Sequence, residues 1–314
     1  MSERSDGDWI AVADARSADG DWIAVDWGTT SMRARLVSAD GEVLTEAPAG
    51  PGMGELSSEG FEPALLHAVE GWLGGEPVET LVCGMAGARQ GWREAPYAEV
   101  PTGLTALLPR AVRVETADAR LAVRIVPGVA FRDPSGIRAD VMRGEETQLA
   151  GLLAQVGAST MRVCLPGTHT KWATVEEGVL TDFDTVMAGE LHALLRERSI
   201  LRHSVDDAWS DAAFDDAVAD ALEARGEVLP LLFPIRAHDL LAGFGPGEAS
   251  ARLSGLLIGS DVAHGLSEQG DVHIVGGDRL ATLYARAIET AGRTAIAHDG
   301  GALAVAGLHA MRQA

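Results

Sequence analysis

Met161-Arg162-Val163-Cys164-Leu165-Pro166-Gly167-Thr168-His169-Thr170-Lys171-Trp172 carries an apolar strand into a Gly-Thr turn and out into a second strand. Polar and apolar residues alternate from Lys171 to Val175, Glu177-Gly178 has the composition of a hairpin turn, and Val179-Leu180-Thr181 starts a third strand. The same order stands about 140 residues earlier. There Ile23 to Trp27 is apolar around Asp26, Gly28-Thr29-Thr30-Ser31 forms the turn, Met32 to Ser38 alternates, and Asp40-Gly41 leads into Val43 to Ala47. Both copies read strand, Gly-Thr-x-Ser/Thr, strand, acidic-Gly, strand. A repeat at this distance predicts two domains built on one βββ plan, and 314 residues suffice for two cores.

The rest of the chain fits that division. Helical spacing is expected over Phe61–Leu73, and Thr80–Cys83 reads as a buried strand entering the glycine-rich loop Gly84–Gly91. Val123–Val129 is strand-like. A helix is expected from near Val141 to Val156, with others over Phe214–Ala224, Ala251–Gly265 and Ala302–Arg312. Asp271–Val275 reads as a strand running into Gly276-Gly277-Asp278, which opens a further helix. The expected division is a flexible extension over 1–20, a first domain over 21–138 and a second over 139–314, the last helix being placed to pack back on the first domain. The extension rests on a duplication: Gly7-Asp8-Trp9-Ile10-Ala11-Val12 recurs at Gly20-Asp21-Trp22-Ile23-Ala24-Val25, and only the second copy runs on into a plausible element.

Composition narrows the function. A formal net charge of −21 disfavours nucleic acid and anionic membranes as partners. No apolar run is long enough to cross a bilayer, and no basic-then-apolar leader is seen, so a cytoplasmic setting is expected. Cys83 and Cys164 sit in apolar strands and read as buried thiols, and no His/Cys cluster has zinc spacing. Any polyanion site must therefore be built locally, from backbone N–H groups, hydroxyls, a few cations and a metal. Of the 25 basic residues only Lys171 is a lysine, a compact point charge where every other position carries a planar guanidinium.

A Gly-Thr turn between strands points N–H groups and hydroxyls into one concavity, which holds phosphate oxygens without much net positive charge. Taken alone, either turn reads as an ordinary hairpin. Taken together, Gly28, Thr29, Thr30 and Ser31 with Gly167, Thr168, His169, Thr170 and Lys171 read as two grips on a triphosphate. Asp26 is the candidate anchor for a water-coordinated Mg²⁺. Gly276, Gly277 and Asp278 suit close approach of a nucleotide to a helix N-terminus. The Walker A pattern is absent.

Asp26-Trp27-Gly28-Thr29-Thr30-Ser31 resembles the first phosphate motif of the superfamily that joins sugar kinases, hexokinase, heat-shock chaperone ATPases and actin. Leu165 to Trp172 resembles its second phosphate motif, and Val275-Gly276-Gly277-Asp278 its adenosine motif. More narrowly, Gly84 to Trp92, Asp140 to Gln148, the second phosphate string and Leu253 to Gly259 together resemble the 2-dehydro-3-deoxygalactonokinase family, over about residues 22–312. The resemblance implies an α/β fold of two actin-like (ribonuclease H-like) domains with mixed sheets flanking an ATP and substrate cleft. It implies ATP and Mg²⁺, and phosphorylation of 2-dehydro-3-deoxy-D-galactonate at its 6-hydroxyl to give the 6-phosphate and ADP. Asp140 is the expected catalytic base, because many sugar kinases of the superfamily carry their aspartate at a similar place. An N-cap role is the plainer reading, and Glu145 and Glu146 stand in reserve. Gly87, Arg89, Gln90, Trp92 and Glu190 are the expected contacts to the acid sugar, with Arg143 a second candidate for its carboxylate. Kinases for another acid sugar or hexose, a sugar-independent ATPase or regulator, and a phosphohydrolase of the same superfamily are the competing functions.

Overall fold

Residues 22–46 and 161–186 fold alike, as their shared pattern requires. In this computed structural model the described residues are 18, 20–133, 135–157, 160–266 and 270–314. The expected extension at 1–20 thus falls almost wholly outside the described residues. Two compact units are formed: residues up to Ala95 with Ala111–Val126, and Pro96–Arg110 with Pro127–Ala314.

The first unit is built on β1 (Trp22–Trp27), β2 (Ser31–Val37), β3 (Val43–Glu46), the helix α1 (Phe61–Val69), β4 (Val78–Gly84) and β5 (Leu121–Ile125). Its sheet runs β3-β2-β1-β4-β5. The pairs β1/β2 and β2/β3 are antiparallel, and β1/β4 and β4/β5 are parallel. The period of two in β2 sends Met32, Ala34 and Leu36 inward and turns Arg33 out. They pack with Ile23, Val25 and Trp27 of β1 and with Phe61 and Leu65 of α1.

In the second unit β6 (Val129–Arg132) and β7 (Ala139–Met142) form an antiparallel pair ahead of helix α2 (Glu145–Val156). The main sheet comprises β8 (Met161–Leu165), β9 (Thr170–Glu176) and β10 (Val179–Val186). After α3 (Ala188–Arg198), α4 (Asp211–Glu223), α5 (Leu229–Leu241) and α6 (Glu248–Gly265) come β11 (Val272–Val275), α7 (Asp278–Thr290), β12 (Ala295–His298) and α8 (Gly300–Gln313). Its order is β10-β9-β8-β11-β12, antiparallel across the three-stranded meander and parallel beyond it. This is the arrangement of the first unit, so each unit is an actin-like α/β sheet of five principal strands. The short strands Ala98–Glu99 and Thr102–Gly103 pair with β6 and β10, which is why 96–110 belongs to the second unit.

Glycines set the helix layers. A Cβ at Gly307 of α8 would stand 1.9 Å from the Thr147 carbonyl oxygen of α2, and one at Gly151 of α2 would stand 2.0 Å from that of Leu303. These helices touch backbone to backbone. Gly255 and Gly259 do the same for α6 against α4.

One expected element is wrong in a way that matters. Asp140 does not precede a helix starting near Val141. It lies inside strand β7, and α2 begins at Glu145 after Gly144, whose φ of 110° ends the extended run. The helices α3 and α5 and the strand β12 were not expected. In α5 two prolines, Pro230 and Pro234, mask the helical period. Among the described residues no helix is long and apolar enough to cross a membrane.

Candidate active site

In the first unit, loop 28–30 closes tightly, with Gly28 N–H donating to the Ser31 carbonyl at 2.8 Å. Met53 and Gly54 donate from outside to the carbonyls of Gly28 and Thr29, at 3.0 and 2.9 Å. Gly52 is pressed against this loop: a Cβ there would lie 2.3 Å from Thr29 O. Thr29 and Thr30 are exposed. Beneath them the Asp26 carboxyl is raised from its ordinary pKa by burial, against the lowering charges of Arg33 and Arg35. The loop after β4 starts at Gly84, whose φ of 87° and close approach to Trp27 O admit no side chain. Gly87 is buried, while Arg89 and Gln90 project to solvent and Arg89 lies 3.7 Å from Glu94. Trp92 stacks on Phe61 and meets Trp27 edge-on, so much of its surface is committed to the core.

The second unit repeats the device. Gly189, in the first turn of α3, backs loop 167–169 as Gly52 backs the first loop: a Cβ would lie 2.4 Å from Gly167 O. Glu190 N–H donates to Thr168 O at 2.9 Å, and the Glu190 carboxylate meets His169 Nε2 at 2.5 Å. These two expected residues are thus brought together by α3, an element the sequence reading lacked. Gly276 adjoins the same loop through Pro166, and its N–H donates to His298 O. The Asp278 side chain lies outside the described residues.

Thr170 and Lys171 are placed differently from expectation. Thr170 is fully buried, its Oγ1 2.8 Å from Tyr284 Oη. The Lys171 ammonium is also buried, donating to the Val141 carbonyl at 2.9 Å and to Thr185 Oγ1 at 2.7 Å. The sole lysine ties β7 to β10. Asp140 joins the same cluster, accepting from Val141 N–H (2.7 Å), Thr185 N–H (2.7 Å) and Thr185 Oγ1 (2.6 Å).

At the head of α2, Glu145 is half-buried and accepts from Arg143 N–H at 2.9 Å. Glu146 has no exposed surface, and burial and then the neighbouring Glu145 charge push its pKa up to about 8. Arg143 lies with its guanidinium 4.3 Å over the Tyr97 ring.

Loop 167–169 opens on a cavity of about 370 Å³ inside the second unit. Its walls include Gly167, Gly189, His192, Trp209, Ser254 and Tyr284. The Arg279 guanidinium stacks 4.3 Å over Trp209, and His192 Nε2 lies 3.1 Å from Ser254 Oγ. Of these wall residues, sequence reading named only Gly167 as a site residue. The others come from α3, α6, α7 and the loop before α4, with no local motif to join them.

The repeated sheet and the two glycine-backed loops define an actin-like α/β protein with paired phosphate-type turns. The chain belongs to the 2-keto-3-deoxy-galactonokinase family, whose model matches residues 26–311. A protein of Rhizobium meliloti (strain 1021) named for 2-dehydro-3-deoxygalactonokinase is 40% identical over 297 residues, covering 92% of this chain and 96% of its own length. The 2-dehydro-3-deoxygalactonokinase of Escherichia coli (strain K12) is 33% identical, covering 88% of this chain and 92% of its own. A crystal structure from Sinorhizobium meliloti assigned to the same activity superposes with a TM-score of 0.85 at 39% identity, covering 93% of this chain and 98% of that one.

Proposed function

We propose that the protein is an ATP-dependent kinase that phosphorylates the 6-hydroxyl of 2-dehydro-3-deoxy-D-galactonate, giving the 6-phosphate and ADP. The observation that carries the ATP half is the cavity beside loop 167–169. It is large enough for a nucleoside, has Trp209 and Leu283 as apolar surface, and begins at the turn whose N–H groups suit phosphate. The family carries the sugar half.

Phosphoryl transfer asks the protein mainly for positioning and charge. The exposed turns, Gly28 to Ser31 and Gly167 to His169, are assigned to the phosphates, with Thr170 and Lys171 as struts behind the second turn. Gly276, Gly277 and Asp278 are assigned to the nucleotide. Among the described residues no group of three or more acidic, His or Cys side chains forms a ready metal cage. A single carboxylate fits Mg²⁺ that keeps its waters and takes phosphate oxygens, and Asp26 is assigned to it. When bound, the ion would neutralise charge on the transferred group. Gly87, Arg89, Gln90, Trp92 and Glu190 are assigned to the acid sugar.

The base must take the proton from the 6-hydroxyl as its oxygen bonds to the γ-phosphorus and ADP leaves. Asp140 is assigned that role. A second reading gives it to Glu145, because α2 begins there, and because the Asp140 carboxylate is already engaged by three hydrogen bonds from Val141 and Thr185. Asp140→Asn and Glu145→Gln separate the two. Loss of the base lowers kcat by about 10²-fold or more, and the other substitution costs far less.

Coupled ADP release with Mg-ATP across a panel of acid sugars and hexoses tests the whole reading. Turnover is expected on 2-dehydro-3-deoxygalactonate, and weaker turnover on its epimer. ADP release indifferent to any sugar would move the function to an ATPase.

A further inference from the structure

Asp261 is a carboxylate on α6 with 1% of its surface exposed, and His264 on the same helix is the charge that bears on it. Burial raises its pKa, and hydrogen bonds oppose that rise. Trp172 Nε1 of β9 donates to Oδ1 at 2.7 Å, and Tyr284 Oη of α7 donates to Oδ2. Tyr284 Oη in turn lies 2.8 Å from Thr170 Oγ1. Thr170, Trp172, Asp261 and Tyr284 are each buried to 1% exposure or less. The chain Thr170–Tyr284–Asp261 therefore joins β9, α7 and α6 through buried side chains.

Its two ends fall at functional positions. Thr170 directly follows loop 167–169, and Tyr284 lines the cavity into which that loop opens. Apolar residues would pack this space at less desolvation cost, but without fixing direction. With Trp172 and Tyr284 donating to the carboxylate, the Thr170 hydroxyl is left to serve the Tyr284 oxygen or the carboxylate beside it, and either bond ties strand to helix at one spacing. The α6 side is held from behind, since a Cβ at Gly265 would overlap the Trp172 indole and Arg162 Nε donates to Gly265 O at 2.8 Å.

We infer that Asp261 is a positioning residue for nucleotide binding: through Tyr284 and Thr170 it holds the second phosphate turn at a fixed distance from α7. The inference rests on the reading of the cavity as the nucleotide site, and it concerns ATP alone, not the sugar.

The test is calorimetric binding of a non-hydrolysable ATP analogue with Mg²⁺ to the full chain, together with KM for both substrates. Tyr284→Phe removes one hydroxyl and Thr170→Val another, so neither variant depends on a new buried charge. Each is expected to weaken the analogue about 5- to 10-fold, with KM for the acid sugar changed less than about two-fold. The double variant is expected to bind no more weakly than the worse single, because either change breaks the same relay. A Thr170 that touched phosphate by itself would give additive losses, and this would overturn the proposal. So would equal weakening of both substrates, which marks general loosening. Ser254→Trp, which fills the cavity, separates the two levels. If it abolishes analogue binding while Tyr284→Phe binds normally, the relay fails and the cavity reading stands. If it leaves binding intact, the cavity reading falls and the relay with it.

Discussion

Glu146 accepts from Gly144 N–H at 2.7 Å and from Thr147 Oγ1 at 3.0 Å, yet these bonds do not offset the loss of water around it, and its pKa rises from 4.5 to about 8. Below about pH 4.5 the carboxyl is protonated in both folded and unfolded chains. Between there and about pH 8 the folded chain keeps the proton and the unfolded chain releases it. Stability attributable to Glu146 is therefore full at low pH and falls as pH rises through that window. At roughly 1.4 kcal/mol per pKa unit, the loss by pH 8 is on the order of 4 kcal/mol. Glu146→Gln keeps a neutral side chain in both states. Its melting temperature is expected to fall less between about pH 5 and about pH 8 than that of the parent, leaving the variant the more stable at the upper end. Parallel curves for the two proteins would show that Glu146 is ionised in the fold. The position of this residue was legible as an acidic pair at a helix start, but its burial was not. Nothing local distinguishes Glu145 from Glu146; only packing does. Asp261 is a harder case: a lone acid in the second half of α6 has no motif, and its partners lie 89 and 23 residues away.

At the scale of elements, the meanders were readable because a period of two and a Gly-Thr turn are local signals. Residues 139–146 were not, because strand β7, a glycine break and the head of α2 fall within eight residues. Glycines carry the next prediction, since two of them sit where no Cβ fits, with opposite expected consequences. Gly189→Ala sets a methyl 2.4 Å from Gly167 O and 2.8 Å from Thr168 Cα, so the phosphate turn must move. Gly307→Ala sets one 1.9 Å from Thr147 O, so α8 must move off α2. Gly189→Ala is expected to raise KM for ATP about ten-fold with a small change in melting temperature, because a surface loop yields at little cost. Gly307→Ala is expected to destabilise by about 2 kcal/mol or more while KM for ATP at low temperature stays near that of the parent. Thermal melts and initial rates on both variants check this. A Gly189→Ala protein with unaltered ATP kinetics would remove loop 167–169 from the phosphate site.

For the molecule as a whole, the formal charge of −21 opposes both proposed substrates, since Mg-ATP and an acid sugar are anions. The cations assigned to substrate are few and local, so they act at contact, while the net charge acts over the approach. The Debye length is about 10 Å at 0.1 M salt and about 30 Å at 0.01 M, so the approach field is the part that salt removes first. Association of anions with this chain should therefore quicken as salt rises, the reverse of a positively steered enzyme. kcat/KM for each substrate is expected to rise about two- to five-fold between about 0.01 M and 0.15 M potassium chloride at constant free Mg²⁺, with kcat little changed. Rates as a function of salt, with the co-substrate saturating, measure this directly. A steady fall in kcat/KM would mean that arginines such as Arg33, Arg35 and Arg89 set a positive field beyond contact range despite the total. The electrostatics of the site would then have to be read from the local arrangement of arginines, with net charge carrying no weight.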